Sequence, residues 1–306
     1  MSKKILIISG PTATGKTDLA IKLAKKYNGL LISADSRQIY KGLDIGTGKD
    51  HPPDIKIHLI DILTPDQSFS VSQFQQLAFE KIRLAHQHHQ LPIIVGGTGH
   101  YIDAIVNPQR DTYHLKPKRC LRFFLNKLSL KNLQKIYQIL DKKNFDSLNN
   151  SEKHNPHRLI RKIEIKLSLL LFSRDAPQGV LTNHPNYDIL HLSLTAPTSF
   201  LYHRIDQRIQ KRLSLGLLDE IKTLLKTYKW SDPGLNTLAY KEFKDYFTVR
   251  VSLADAQQKW RFDEHAYARR QLTWFKKRPE VIFIDITQSK YSSQVFSEVK
   301  KWYNSL

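Results

Sequence analysis

The chain has 306 residues, is 41% hydrophobic and 25% charged, and carries 48 Lys and Arg against 28 Asp and Glu, a formal net charge of +20. That balance suits a folded globular protein of about two domains and excludes a disordered one; the basic excess predicts a polyanionic partner, either nucleic acid or a membrane surface. With a single cysteine, Cys120, an intramolecular disulfide is excluded and a thiolate-ligated metal centre is not expected.

At the N-terminus, Lys3 and Lys4 precede Ile5–Ile8 in a brief mimic of a signal peptide that Gly10 and Pro11 end. The longest apolar run, Leu167–Phe172, is far too short to cross a bilayer, so a cytoplasmic protein that does not enter membranes is expected. Ile5–Ser9, Leu30–Ala34, Ile57–Ile62 and Pro92–Gly97 are short apolar runs bounded by turn residues, the pattern of strands buried on both faces of a parallel sheet. Between them, Lys16–Tyr27 and Val71–Gln90 have helical periodicity, with Asn28-Gly29 stopping the first and Ser70 capping the second. From Tyr113 to Asp175 the chain turns helical and basic, with 15 Lys/Arg against 5 Asp/Glu, a net +10. Strand character returns at Ile189–Leu194, helices are expected over Ser199–Leu213, Leu217–Tyr228 and Leu253–Trp274, and Val281–Ile286 reads as a last strand. The expected fold is α/β, a P-loop NTPase-like parallel sheet core over 1–112 and 186–306 with a basic, mainly helical insertion over 113–185 that faces a polyanion.

Gly10-Pro11-Thr12-Ala13-Thr14-Gly15-Lys16-Thr17 matches G-x-x-x-x-G-K-[ST] directly after a strand and at the start of a helix. Such a loop aims successive backbone N–H groups at phosphate oxygens, while Lys16 neutralises the terminal phosphate and the Thr17 hydroxyl binds Mg²⁺. It predicts binding of a diphosphate or triphosphate. The acidic Mg²⁺ ligand of a hydrolytic P-loop enzyme is not evident, since the strand at Pro92–Val95 ends in Gly96-Gly97-Thr98-Gly99; Asp61 and Asp35 are the nearest stand-ins.

In open α/β sheets ligands sit beyond the carboxyl ends of the strands. Three such ends are chemically loaded here: the P-loop, Asp35-Ser36-Arg37-Gln38, and Gly96–Gly99. The Asp35 carboxylate is a candidate general base or base-edge acceptor, with capping of its own turn as the alternative. Gln38 both donates and accepts, which suits an adenine edge. His86, His88 and His89 lack a carboxylate or thiol partner and read as solvated helix-end residues. Trp274 and Phe275 read as core beside a phosphate-facing set of Arg269, Arg270, Lys276, Lys277 and Arg278, and Arg204 and Arg208 open a helix whose arginines can close over departing phosphates.

Several stretches together carry a resemblance: 10–17, 33–49 (Ser-Ala-Asp-Ser-Arg-Gln-Ile-Tyr-Lys-Gly-Leu-Asp-Ile-Gly-Thr-Gly-Lys), 95–101, 155–164, 239–242 and 267–275. Nearly end to end, the chain resembles the bacterial tRNA dimethylallyltransferases, also called tRNA isopentenyltransferases, and 33–49 is the most specific of the six stretches. The resemblance implies a monomer whose P-loop holds dimethylallyl diphosphate with Mg²⁺. The acceptor it implies is the N6 amine of the adenine 3′-adjacent to the anticodon, flipped out of the tRNA anticodon stem-loop. Carried over by position, Asp35 takes the amine proton, Ser36, Arg37 and Gln38 hold the adenine, and Thr98 touches the target nucleotide. Arg119 or Arg122, together with His157, Arg158, Leu159, Ile160, Arg161 and Lys241, grip the tRNA. So does the helix carrying Arg269, Arg270, Gln271, Thr273, Trp274 and Lys276. Lys16, Thr17 and Arg208 steady the leaving diphosphate. Ala239 stands where the family usually has Gly, and His157 where it usually has Gln or Arg. A small-molecule kinase, a prenyltransferase of free adenine nucleotides and a non-catalytic RNA-binding protein are the competing readings.

Overall fold

The computed structural model describes residues 3–49, 52–108, 119–172 and 187–305. The chain divides into two compact units, one of Met1–Pro108 with Pro185–Leu306 and one of Gln109–His184.

The first unit is built on a six-stranded sheet in the order β3-β2-β4-β1-β5-β6, comprising β1 (Lys4–Ser9), β2 (Gly29–Ser33), β3 (Ile57–His58), β4 (Leu91–Gly96), β5 (Asp188–Thr195) and β6 (Ile282–Asp285). Every pairing is parallel. Along β1 the side chains alternate between two cores, as the period of two in a strand requires. Leu6 and Ile8 join a cluster with α1 (Lys16–Lys26) and α13 (Tyr291–Tyr303). Ile5 and Ile7 join one with α2 (Val71–Gln87) and α3 (Gly99–Val106). Both faces are therefore covered, which is why the strands read as unbroken apolar runs.

The expected strand over Ile57–Ile62 is only two residues long, because Leu59 and Asp61 adopt φ of 65° and 56°, outside the β region. Ser70 caps α2 as expected, within a reciprocal Ser70/Gln73 box. The helix stops at Gln87 rather than Gln90, the chain turning at His89 with φ 52°. His86 is not a solvated residue: it is half-buried, its Nε2 lies 2.9 Å from Lys4 O, and it stacks on Tyr187, tying α2 to β1.

After β5 come α9 (Thr198–Ser214), α10 (Leu217–Leu225), a 3₁₀ turn at Lys241–Phe243, α11 (Lys244–Phe247) and α12 (Leu253–Phe275), packed around Tyr240, Phe243 and Trp260. Glu242 is buried among them. Its Oε2 accepts from Ala239 N–H at 2.9 Å, holding an alanine at φ 76°, while its Oε1 has no hydrogen bond. Burial pushes the Glu242 carboxyl up to about 7, and burial lowers the His191 imidazole to about 4. The folded state thus holds the Glu242 proton between pH 4.5 and about 7 when the unfolded chain has lost it, so that contribution to stability falls as pH rises through this window. His191 works the other way, adding stability as pH rises from about 4 to 6.5. The Glu242→Gln variant is expected to gain stability relative to the parent by up to about 3 kcal/mol between pH 4.5 and pH 7.5, measured by urea unfolding at both values. A difference that does not change with pH would contradict this placement of Glu242.

The second unit is helical: α4 (Arg119–Leu125), α5 (Leu130–Leu140), α6 (Lys142–Asp146), α7 (Asn150–Lys153) and α8 (Pro156–Phe172). Ser129 caps α5, and Asn149 with Glu152 makes a capping box on α7. Leu125, Leu133, Tyr137, Leu159, Ile160 and Ile163 form its core. No described helix is long and apolar enough to cross a membrane.

Candidate active site

Beyond the carboxyl ends of β1, β2 and β4 lies a cleft of about 1040 Å³. β1 leads into the loop at Gly10, which packs against the Leu194 backbone and, like Pro11 and Thr14, does not line the cleft, while Gly15, at φ 79°, lets the chain turn directly into α1. Inside the loop the Thr14 hydroxyl donates to Pro11 O at 2.9 Å and Lys16 Nζ donates to the same oxygen at 2.8 Å. From α9, Arg208 Nη1 donates to Thr12 Oγ1 at 2.9 Å.

The turn after β2 is laced to the turn after β4. Ala34 N–H donates to Val95 O at 2.7 Å, Thr98 N–H donates to Ala34 O at 3.2 Å, and Ser36 N–H donates to Thr98 Oγ1 at 3.1 Å. Asp35 Oδ1 accepts from Arg37 N–H at 2.8 Å while the residue lines the cleft, so the carboxylate caps its own turn and still faces the ligand space. Ser33 Oγ donates to Gln38 Oε1 and Gln38 Nε2 donates to Gly48 O, each at 3.3 Å, which fixes the orientation of the amide. The Tyr267 hydroxyl is hydrogen-bonded to the Thr98 side chain, and burial, then the Asp35 charge, push its phenol well above the usual range. It therefore stays protonated beside Asp35.

Gln271 joins the two halves of the site. Its Oε1 accepts from Thr12 N–H and its Nε2 donates to Gly97 O, both at 2.9 Å. A Cβ on Gly97 would stand 2.1 Å from that Nε2, so only glycine admits the contact. Gln271 is thus a buried strut between the P-loop and the Gly96–Gly99 turn that also lines the cleft. Gln271→Leu strands a part-buried N–H and a buried carbonyl, the latter costing about 1–3 kcal/mol. The expected result is at least a tenfold loss in affinity for inorganic diphosphate, read by calorimetry; unchanged affinity would contradict the strut.

Of the other expected site residues in this unit, Thr12, Ala13, Gly15, Lys16, Thr17, Ser36, Arg37, Thr98, Arg208, Lys241, Arg270 and Trp274 line the cleft. Trp274 is half-buried, packed against the core while also lining the cleft, with its ring centre 4.4 Å from that of His100. Arg269 and Thr273 are exposed on α12 and Lys276 just past its end; Arg269 Nη1 donates to Tyr202 Oη at 2.5 Å and the Thr273 hydroxyl to Arg269 O at 2.9 Å. Arg278 differs from expectation, because it is ion-paired with buried Asp103 at 2.9 Å instead of facing phosphates. Asp61 is no metal ligand either: Lys49 Nζ pairs with its Oδ1 at 2.5 Å, and it does not line the cleft.

In the helical unit, His157 and Arg158 are exposed at the start of α8. Leu159 and Ile160 are buried in that unit's core, as the helical period demands, and cannot grip an RNA. Arg122 makes a bidentate pair with buried Glu164 at 3.0 and 2.7 Å, and Arg161 adds a contact to Glu164 at 3.4 Å. The side chain of Arg119 lies outside the described residues. Sequence reasoning missed Tyr267 as a site residue, since nothing in its spacing marks a buried hydroxyl.

The IPP transferase family model matches residues 38–278. A curated tRNA dimethylallyltransferase of Roseiflexus sp. (strain RS-1) is 34% identical over 98% of this chain and 99% of its own length. One of Bacillus mycoides is 35% identical over 97% and 95%. Among solved structures, the full-length tRNA isopentenylpyrophosphate transferase of Bacillus halodurans superposes with a TM-score of 0.73 at 32% identity, covering 98% of this chain and 96% of that one. A eukaryotic dimethylallyltransferase acting on tRNA gives 0.82 at 25% identity, covering 99% and 79%.

Proposed function

Because this chain belongs to the IPP transferase family, we propose that it transfers the dimethylallyl group of dimethylallyl diphosphate to the N6 amine of the adenine 3′-adjacent to the anticodon in tRNA, giving N6-(dimethylallyl)adenosine. The observation that carries this reading is the single cleft in which a P-loop and the Asp35 turn are tied together through Gln271. A diphosphate held at one end and an adenine at the other brings the amine to the allylic carbon, and much of the barrier falls through that positioning.

In the reaction the N6 lone pair forms a bond to C1 of the allyl group as the C1–O bond breaks, and diphosphate departs with the bonding pair. Negative charge grows on that oxygen, so Lys16 and Arg208 stabilise the transition state more than the ground state. Asp35 receives the proton of the alkylated amine. Gln38, with both ends of its amide oriented, reads the adenine edge. The adenine must leave its stack to reach this depth, which restricts the acceptor to a loop nucleotide.

Among the described residues no group of three or more His, Cys, Asp or Glu is suited to hold a metal. The Thr17 hydroxyl, which lines the cleft, fits Mg²⁺ as an oxygen donor and would hold the ion together with the bound diphosphate. When bound, Mg²⁺ would neutralise the diphosphate. The exposed His157 and Arg158, in a basic helical unit, supply the non-specific attraction to tRNA phosphates. The enzyme acts as a cytoplasmic monomer in this reading.

The test is transfer of label from dimethylallyl diphosphate, with Mg²⁺, to an unmodified tRNA carrying adenine after its anticodon, with AMP and ATP as competing acceptors. Label in tRNA supports the proposal. Label in AMP would replace it with a nucleotide prenyltransferase, and γ-phosphate transfer from ATP with a kinase.

A further inference from the structure

The loop Asp44–Lys49 forms one wall of the cleft, yet the chemistry above uses none of its side chains. Three consecutive backbone N–H groups, those of Asp44, Ile45 and Gly46, donate to the carboxylate of Glu220 at 3.0, 2.8 and 3.2 Å. The Tyr240 hydroxyl donates to the same carboxylate at 2.6 Å. Four donors converging on one carboxylate make a strong, directional anchor. The loop is also pressed against Tyr240, where a Cβ on Gly46 would sit 2.4 Å from the ring. At the far end Lys49, its side chain removed from solvent, donates to Tyr40 O at 2.6 Å and pairs with Asp44 and Asp61. Between these anchors lies Gly48, whose carbonyl accepts from Gln38 Nε2.

We infer that Glu220 is a positioning residue for the acceptor: without lining the cleft, it fixes the Asp44–Gly48 backbone and, through the Gly48 carbonyl, the amide of Gln38. The inference rests on Gln38 meeting the acceptor adenine. An amide that lost the Gly48 contact would keep only the Ser33 hydroxyl, which can donate to its oxygen or accept from its nitrogen, so both amide orientations become open and the damage falls on the acceptor rather than the diphosphate end.

The test uses Glu220→Gln, Gln38→Ala and the double variant in the full chain. The readouts are kcat/KM for tRNA at saturating dimethylallyl diphosphate and the Kd of inorganic diphosphate. Glu220→Gln is expected to lower kcat/KM for tRNA roughly tenfold, with the diphosphate Kd moving less than about twofold. In the Gln38→Ala background the same change is expected to cost less than about twofold more, because its route is already removed. An additive loss in the double variant, an equal weakening of diphosphate binding, or no loss at all would overturn the inference. Should Glu220→Gln fail to fold, Tyr240→Phe removes one donor from the carboxylate and is expected to give a smaller loss, again suppressed by Gln38→Ala. A parent enzyme inactive on tRNA would sink the proposed function and this inference together; an active parent with an unaffected Glu220→Gln variant would sink only the inference.

Discussion

Replacing Asp35 by asparagine is expected to lower kcat for prenyl transfer by about 10²–10⁴-fold, the range that a positioned general base contributes. The substitution separates the turn-capping contact of this carboxylate from its proposed role as general base. Asn keeps an oxygen that accepts from Arg37 N–H, as Asp35 Oδ1 does at 2.8 Å, so the turn after β2 and its lacing to Thr98 survive. What it lacks is the ability to hold the amine proton. Diphosphate affinity is therefore expected to stay within about twofold of the parent, and the loss to appear in kcat rather than in KM for the donor. Asp35→Ala removes the cap as well, and a further loss in the alanine variant measures the turn's contribution. A kcat for Asp35→Asn within a few-fold of the parent would show that the proton leaves by another route.

The second large effect is expected at Lys16. The ammonium group is folded across its own loop onto Pro11 O at 2.8 Å, close to where a bound anion meets the loop's N–H groups. In the proposed reaction a fixed cation there acts on charge that develops as diphosphate leaves, and loss of one such donor in comparable sites costs about 10²–10³-fold in kcat. Lys16→Ala should fall in that range and also weaken binding of inorganic diphosphate. Arg208, tied to Thr12 Oγ1 at 2.9 Å, remains to hold part of the charge, so residual turnover is expected rather than none. Retention of full kcat by Lys16→Ala would remove the P-loop from the chemistry.

Much of this was legible in the sequence because it depends on local pattern. The P-loop follows β1 and opens α1 where the G-x-x-x-x-G-K-[ST] spacing puts it, and the buried strands follow from unbroken apolar runs. Ser70 announced the start of α2 as its N-cap. The misses share a different cause: they depend on contacts between segments far apart in the chain. Gln271 sits in a stretch rich in Arg and looks like a helix-surface residue until α12 delivers it between Thr12 and Gly97, 259 and 174 residues away. Arg278 looks phosphate-facing until Asp103 claims it, and Asp61 looks available for a metal until Lys49 does. Leu159 and Ile160 lie inside a basic motif, yet helical geometry turns them into the core while His157 and Arg158 stay outside.

The most direct measurement is the position of the prenyl group. After incubation of the enzyme with dimethylallyl diphosphate, Mg²⁺ and an unmodified tRNA whose anticodon is followed by adenine, the RNA is digested with nuclease and the fragments sequenced by mass spectrometry. A single dimethylallyl group on the N6 of the adenine 3′-adjacent to the anticodon, formed about 10²–10⁴-fold more slowly with Asp35→Asn, is the predicted result. Prenylation scattered over other adenines, or label found only on free nucleotides, would contradict a cleft built for one flipped loop base.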